Sequence, residues 1–241
     1  MIEYLSWDSN FFKKKIGKIE ILSKKDNQHG FNFDDILKKV DYRLIYFFLD
    51  IGLNINDYIY SFKPYLVDTQ MHLKIQVPEE LEKINYSLLN INNFSNNKYL
   101  ENIYKIAEEV SGISRFNYDA KIKKIDIKKL YRKMVENSLN GTYGSGIILS
   151  SETFEGVKGF IALSLNKNIG KELLIGVGKE FKKYGIGKIL IKKALNCCKD
   201  NKINELATVV SGKNLDSVNF HISQGYKIHK IINIYHLWLK G

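Results

Sequence analysis

The spacing of apolar residues changes period several times along the chain, and each change marks an element. KIGKIEIL (15–22) alternates in the manner of a half-buried strand. FNFDDILKKV (31–40) spaces its apolar residues for a helix, with Asn32 placed to cap it. YRLIYFFLD (42–50) is an apolar run of the kind found in strands covered on both faces. INDYIYSF (55–62) predicts a short helix, and YLVDTQMHLKI (65–75) another strand. Pro78 and the acidic VPEELEK stretch then interrupt the pattern. Together these segments predict a small α/β domain over residues 1–80.

The pattern restarts near residue 86 and defines a second unit, 81–241. YSLLNIN (86–92) reads as a strand, and NNKYLENIYKIAEEV (96–110) as a helix with apolar residues three and four apart. DIKKLYRKMVENSLNG (126–141) is a second helix, with Gly141 as its natural stop. Three strands follow at 146–150, 159–166 and 172–178. The helix over 185–199 carries Ile186, Ile189, Leu190, Ala194, Cys197 and Cys198 on one face, and Lys188, Lys192, Asn196 and Lys199 on the other. A strand (205–211), a helix (214–224) and a closing pair of strands near 226–240 complete the chain.

The junction before the 185–199 helix carries the first chemical signal. It reads strand, glycine turn, amphipathic helix: ELLIGVGKEFKKYGIGKIL. The amides of a first helical turn have no intrahelical acceptor, and the helix dipole adds about half a positive charge there. Glycine removes the Cβ that would block an approaching phosphate. Two well-known cradles are excluded. Gly187-Lys188 is followed by Ile189 where a P-loop needs Ser or Thr, and Gly176-Val177-Gly178 lacks the third glycine of a dinucleotide fingerprint.

Composition narrows the field further. The chain has 44% hydrophobic and 26% charged residues, the balance of a globular domain with a core of its own. No apolar run is long enough to span a membrane, and no secretory signal opens the chain. The two cysteines are adjacent, which predicts reduced thiols in a cytoplasmic protein and no metal cage. A net charge of +11 invites a nucleic-acid reading, but only three of the 37 basic residues are arginine and the lysines are spread along the whole chain. A solvated surface accounts for them, and no nucleic-acid acceptor is expected.

The segment KKYGIG (182–187) resembles the pyrophosphate loop of the GNAT acyltransferase superfamily, with lysine at the usual Arg or Gln position. A second GNAT element, NLDSVNFHISQGY (214–226), follows the next strand. LSWDSNFF, VDTQMHLKI, SRFNYDAKI, LYRKMVENSLNG and the terminal HLWL together resemble the TDP-fucosamine N-acetyltransferase group over nearly the full chain. The resemblance implies a GNAT fold with a mixed, mostly antiparallel sheet behind the small N-terminal α/β domain. It implies acetyl-CoA, or another short acyl-CoA, as co-substrate, and N-acylation of a dTDP- or UDP-linked aminodeoxysugar for bacterial surface glycans. It admits a homodimer.

Site residues follow from the same resemblance. CoA would run along the exposed backbone of Ile175 and Val177, with the Val177 N–H as oxyanion donor. Its phosphates would meet Lys182, Lys183, Tyr184, Gly185, Ile186, Gly187 and Lys188, while Asn214, Ser217 and Phe220 flank the carrier. His221 stands where the family usually places a tyrosine that protonates the departing thiolate. An imidazolium near pKa 6.5 is a stronger acid than a thiol near 8.5, so that transfer is downhill. On the acceptor side, Arg115 offers a bidentate phosphate donor and Phe116 a stacking face. Trp7 and Asp8 match the N-terminal motif. Two other readings stay open: a protein- or RNA-directed GNAT enzyme, and a non-catalytic nucleic-acid-binding module.

Overall fold

The computed structural model describes residues 2–23, 32–90, 97–149, 152–153 and 156–239. Residues 31, 91–92, 96, 150 and 240, at the ends of predicted elements, lie outside the described residues. The N-terminal part runs β1 (Glu3–Tyr4), α1 (Ser6–Phe12), β2 (Ile16–Ile21), α2 (Asp34–Leu37), β3 (Leu44–Asp50) and β4 (Tyr65–Gln76). After an irregular stretch come β5 (Leu88–Leu89), α3 (Asn97–Val110), α4 (Lys124–Leu139) and β6 (Gly146–Leu149). A small pair, β7 (Glu152–Thr153) and β8 (Gly156–Val157), leads to β9 (Gly159–Leu165) and β10 (Gly170–Val177). The chain closes with α5 (Ile186–Asp200), β11 (Glu205–Ser211), α6 (Leu215–Ser223) and β12 (Lys227–Trp238).

Ten strands form one sheet in the order β1-β2-β3-β12-β4-β11-β10-β9-β6-β5. Only β2/β3 and β10/β11 are parallel. The sheet is thus mixed and mostly antiparallel, as the pattern and the resemblance led us to expect. Strand β4, from the first 80 residues, is flanked by β11 and β12, both from beyond residue 200. The boundary expected near residue 80 falls in the irregular stretch after β4, and the strands on either side of it share this sheet.

Alternation along the strands divides the core in two. On β9, Ile161 and Leu163 join Leu190, Ile191 and Ala194 of α5, while Phe160 and Ala162 face Ile103 and Val135 of α3 and α4. That is the period-two geometry of a strand buried on both sides. On β3 the same rule sends Ile45, Phe47 and Leu49 to one cluster and Leu44, Tyr46 and Phe48 to another, where Leu130 of α4 meets them. Helix α4 therefore reaches across the sheet to the N-terminal strands, and the loop between α3 and α4 is carried with it.

Several predicted elements differ in extent. The helix expected over 31–40 is one turn, Asp34–Leu37, with the Asn32 Oδ1 accepting from the Asp34 N–H at 2.8 Å. INDYIYSF keeps only a 3-10 turn, Ile55–Asp57. The closing pair of strands is a single twelve-residue strand, β12. It is held on one side by β3 and on the other by β4, so it needs no hairpin partner of its own. Helix α1 has no counterpart in the apolar spacing.

Candidate active site

Strands β10 and β11 begin as a parallel pair at Gly170↔Leu206 and Lys171↔Ala207 and then part. A bulge between Glu172 and Leu174 breaks the β10/β9 register at the same level. Beyond it, the Gly178 N–H donates to the O of Lys158, the residue before β9, at 3.0 Å. Amides alternate along a strand, so those of Val177 and Ile175 turn away from β9 into the gap beside β11. The widened gap offers unpaired backbone donors to an extended guest.

The turn that follows ends at the head of α5. Gly185 sits at φ 78°, and a Cβ built on it would meet nothing within 4 Å. It is thus open on the side where an anion would approach. The first intrahelical bond runs from Ile189 N to Gly185 O, so the preceding amides are free of the helix ladder. Lys182, Lys183, Tyr184 and Lys188 are exposed around them. Gly187 has a different reason to be glycine: a Cβ there would stand 2.9 Å from the Phe220 ring. Close packing of α5 on α6 requires it. These residues fit a phosphorylated carrier, with open amides, a bare backbone and surrounding positive charge.

Helix α6 starts on Asn214, whose Oδ1 accepts from the Ser217 N–H at 3.1 Å. One turn later His221 is 1% exposed. Its Nδ1 donates to Ser217 O at 2.7 Å, and its Nε2 lies 2.9 Å from Glu172 Oε1. Burial alone would lower the imidazole pKa, but the Glu172 carboxylate raises it and prevails. Thr208 Oγ1 and the Tyr226 hydroxyl also donate to Glu172, at 3.3 and 3.4 Å. The resulting knot ties β10, β11, α6 and the start of β12 together beneath the gap.

A cavity of about 710 Å³ joins this gap to the far side of the sheet. Ile175, Asn214, Ser217 and His221 line one end, and Trp7, Asp8, Arg115 and Phe116 the other. Residues predicted separately for carrier and acceptor therefore share one space. Val177, Phe220 and the 182–188 segment do not line it; they lie at the end of β10, on α6, and in the turn and first residues of α5.

The Arg115 end of the cavity is built on aromatic rings. The Arg115 guanidinium lies over Phe116, Tyr46 and Phe48 at 4.7, 4.9 and 5.6 Å from their centroids. Its buried Nε has no hydrogen-bond partner, and no carboxylate among the described residues comes within ion-pairing distance. Phe116 gives its face to Arg115 and is 7% exposed, packed against Phe12 and Tyr46. Asp8 is close enough for Arg115 to act on it, yet burial outweighs that attraction and raises its pKa. Behind this wall, His236 Nδ1 meets Asp119 Oδ2 at 2.6 Å, and the Trp238 indole donates to the same oxygen at 2.9 Å.

Two lining carboxylates were not singled out in the sequence, Glu172 on β10 and Asp68 on β4. Both are nearly buried, at 7% and 2% exposed. Nothing in the sequence of either strand marks them, since β4 also holds Thr69, Gln70, His72 and Lys74 and β10 holds Lys171; only their burial shows that they need a partner or a ligand.

Residues 123–226 match the acetyltransferase (GNAT) family. The matched segment, less than half of the chain, spans α4, the β10/β11 gap, the glycine turn and α6. No curated protein matches the sequence. Among solved structures, a functionally unknown conserved protein from Staphylococcus epidermidis is similar with a TM-score of 0.55 and 13% identity, over 94% of this chain and 85% of that one. A putative GNAT acetyltransferase from Novosphingobium aromaticivorans gives 0.52 and 8%, over 86% and 79%. A GCN5-related N-acetyltransferase from Sphaerobacter thermophilus gives 0.51 and 12%, over 80% of this chain. The chain spans only 59% of that protein's length. At these identities the likeness is one of fold. No helix among the described residues is long and apolar enough to cross a membrane.

Proposed function

We propose that the protein is a CoA-dependent N-acyltransferase, with acetyl as the default group and a dTDP- or UDP-linked aminodeoxysugar as acceptor. The observation that carries this reading is the single cavity running from the β10/β11 gap to the unpaired Arg115. The carrier's diphosphate rests on the amides around Gly185–Lys188, and its pantetheine arm lies along Ile175 and Val177. The Val177 N–H stabilises the oxyanion that forms when nitrogen adds to the thioester carbonyl. Such a main-chain donor is oriented before reaction and has no rotamer to fix.

His221 is the proton source for the departing thiolate in this reading. Both its N–H groups are engaged, so one of the two bonds opens as the sulfur leaves. Arg115 takes the acceptor's diphosphate, and residues 1–80 contribute Trp7 and Asp8 to the same end. The resemblance to the TDP-fucosamine N-acetyltransferase group supports the choice of sugar. The test is thiol release from acetyl-CoA with dTDP-4-amino-4,6-dideoxygalactose and UDP-linked aminosugars. Turnover on the sugars is expected; turnover on peptides with none on sugars overturns the acceptor.

A further inference from the structure

Three carboxylates line the cavity: Asp8, Asp68 and Glu172. Their surroundings separate them. Glu172 is held by His221, Thr208 and Tyr226, which occupy both of its oxygens. Asp8 lies at the Arg115 end, remote from the gap where a thioester would sit. Asp68 is different. It is 2% exposed, and its one hydrogen bond comes from the Ser211 hydroxyl to Oδ1 at 2.6 Å. Oδ2 has no partner among the described residues. Asp68 stands on β4 next to β11, whose residues Val209, Val210 and Ser211 wall the cavity opposite Leu173–Ile175 of β10.

A nearly buried carboxylate with one committed oxygen carries a desolvation cost that a cationic or hydrogen-bond-donating guest would offset. The opposite end of the cavity holds an arginine with the opposite need. Asp68 thus offers an acceptor to a cationic group of a guest, and Arg115, among the rings of Tyr46, Phe48 and Phe116, a donor to an anionic one.

We propose that Asp68 is the catalytic base of the acyl transfer, and that the acceptor is a primary amine whose anionic part reaches Arg115. The proposal rests on the acyltransferase reading above and names the group that reading lacks. An ammonium docks on Asp68 Oδ2 and gives up one proton to the carboxylate. The nitrogen lone pair forms the N–C bond to the thioester carbonyl, and the C–S bond breaks as the oxyanion collapses. His221 protonates the thiolate and regains its proton from solvent, and the second nitrogen proton leaves to solvent, giving the free thiol and an amide. Asp68 returns its proton to solvent. Ser211 fixes Oδ1 so that Oδ2 keeps its aim.

Asp68→Asn tests this, because the amide oxygen can still accept from Ser211 while the base is lost. Two readouts are taken on the same protein: the melting-temperature shift produced by acetyl-CoA, and turnover with dTDP-4-amino-4,6-dideoxygalactose and glucosamine 6-phosphate. The expected result is an unchanged acetyl-CoA shift and a turnover number about 100- to 10,000-fold lower. Asp68→Glu should restore part of the rate. Turnover of Asp68→Asn within about threefold of the parent protein overturns the proposal while leaving the acyltransferase reading intact. Absence of any acetyl-CoA shift in the parent protein overturns that reading, and Asp68's role falls with it. Should Asp68→Asn fail to fold, Ser211→Ala leaves the carboxylate in place but unfixed; a slower reaction with an unchanged acetyl-CoA shift is expected, and an unaltered rate refutes the role.

Discussion

His221 shows how one side chain can carry both structural and chemical weight. It is nearly inaccessible and bonded through both ring nitrogens, and its pKa is raised because Glu172 and the Ser217 carbonyl outweigh the burial that opposes charge. Removing the ring leaves a buried carboxylate without its counter-ion. His221→Ala is therefore expected to lose about 3–5 kcal/mol in a urea titration, while keeping CoA affinity and slowing turnover. A second change, Glu172→Gln, should recover part of that loss in the same background; strictly additive losses would show that the two groups are not coupled. Arg115 poses the reverse case, a cation without a counter-ion. Arg115→Gln should raise KM for glucosamine 6-phosphate tenfold or more, leave KM for glucosamine nearly unchanged, and leave the acetyl-CoA shift intact. Equal effects on both amines would remove Arg115 from the acceptor site.

At the scale of the element, the glycine turn and α5 were legible in the sequence because local chemistry decides them. A backbone at φ 78° favours glycine whatever packs nearby, and the amphipathic stripe of α5 sets most of its inward face. The exceptions are Ile189, expected inside but exposed, and Asn196, expected outside but buried with its amide donating to Glu82 O and Lys192 O. Gly185→Ala should cost about 1–2 kcal/mol from backbone strain alone, since its Cβ meets nothing, and Gly185→Asn should cost less because asparagine tolerates that region. Comparing their urea midpoints checks this; equal losses would point to a packing cause instead. Elements that depend on distant partners were not legible in the same way. The stretch 226–240 has enough apolar residues for two short strands, and only the neighbouring β3 and β4 decide that it runs straight for twelve residues. The 31–40 helix stops after one turn in spite of its spacing, and α1 forms where no periodicity announces it.

For the whole molecule, the arrangement of buried titratable groups sets the response to acid. Burial lowers the His72 pKa to about 4, with help from His229 and Lys230, and lowers that of His236 as well. Both rings are neutral when folded, so their contribution is present above the unfolded value near 6.5 and is lost as pH falls toward 4. Asp119 follows the same direction lower down. Burial would raise its pKa, but hydrogen bonds from His236, Tyr65, Lys121 and Trp238 hold it at about 2, so its share disappears between pH 4 and 2. His221 runs the other way: its share is present below 6.5 and fades as pH rises through its raised value. The urea midpoint is expected to fall steadily from pH 6.5 to 4, and His72→Leu should flatten that fall. A midpoint that rises over this interval would contradict the assignment.

Read alone, the chain determined what short-range physics controls: most of the strand and helix periods, the open turn at Gly185 and the Asn214 cap. Tertiary structure decided what no local window contains. Inserting β12 and β4 side by side brings an N-terminal strand against β11, and with it Asp68 against Ser211. Folding the α3–α4 loop over β3 stacks Arg115 on Tyr46 and Phe48, some seventy residues away in sequence. The bulge in β10 places Glu172 under His221. An acid buried in a strand shows only that some partner is required. Which partner it meets, and whether one oxygen is left over for chemistry, depends on strand order and register.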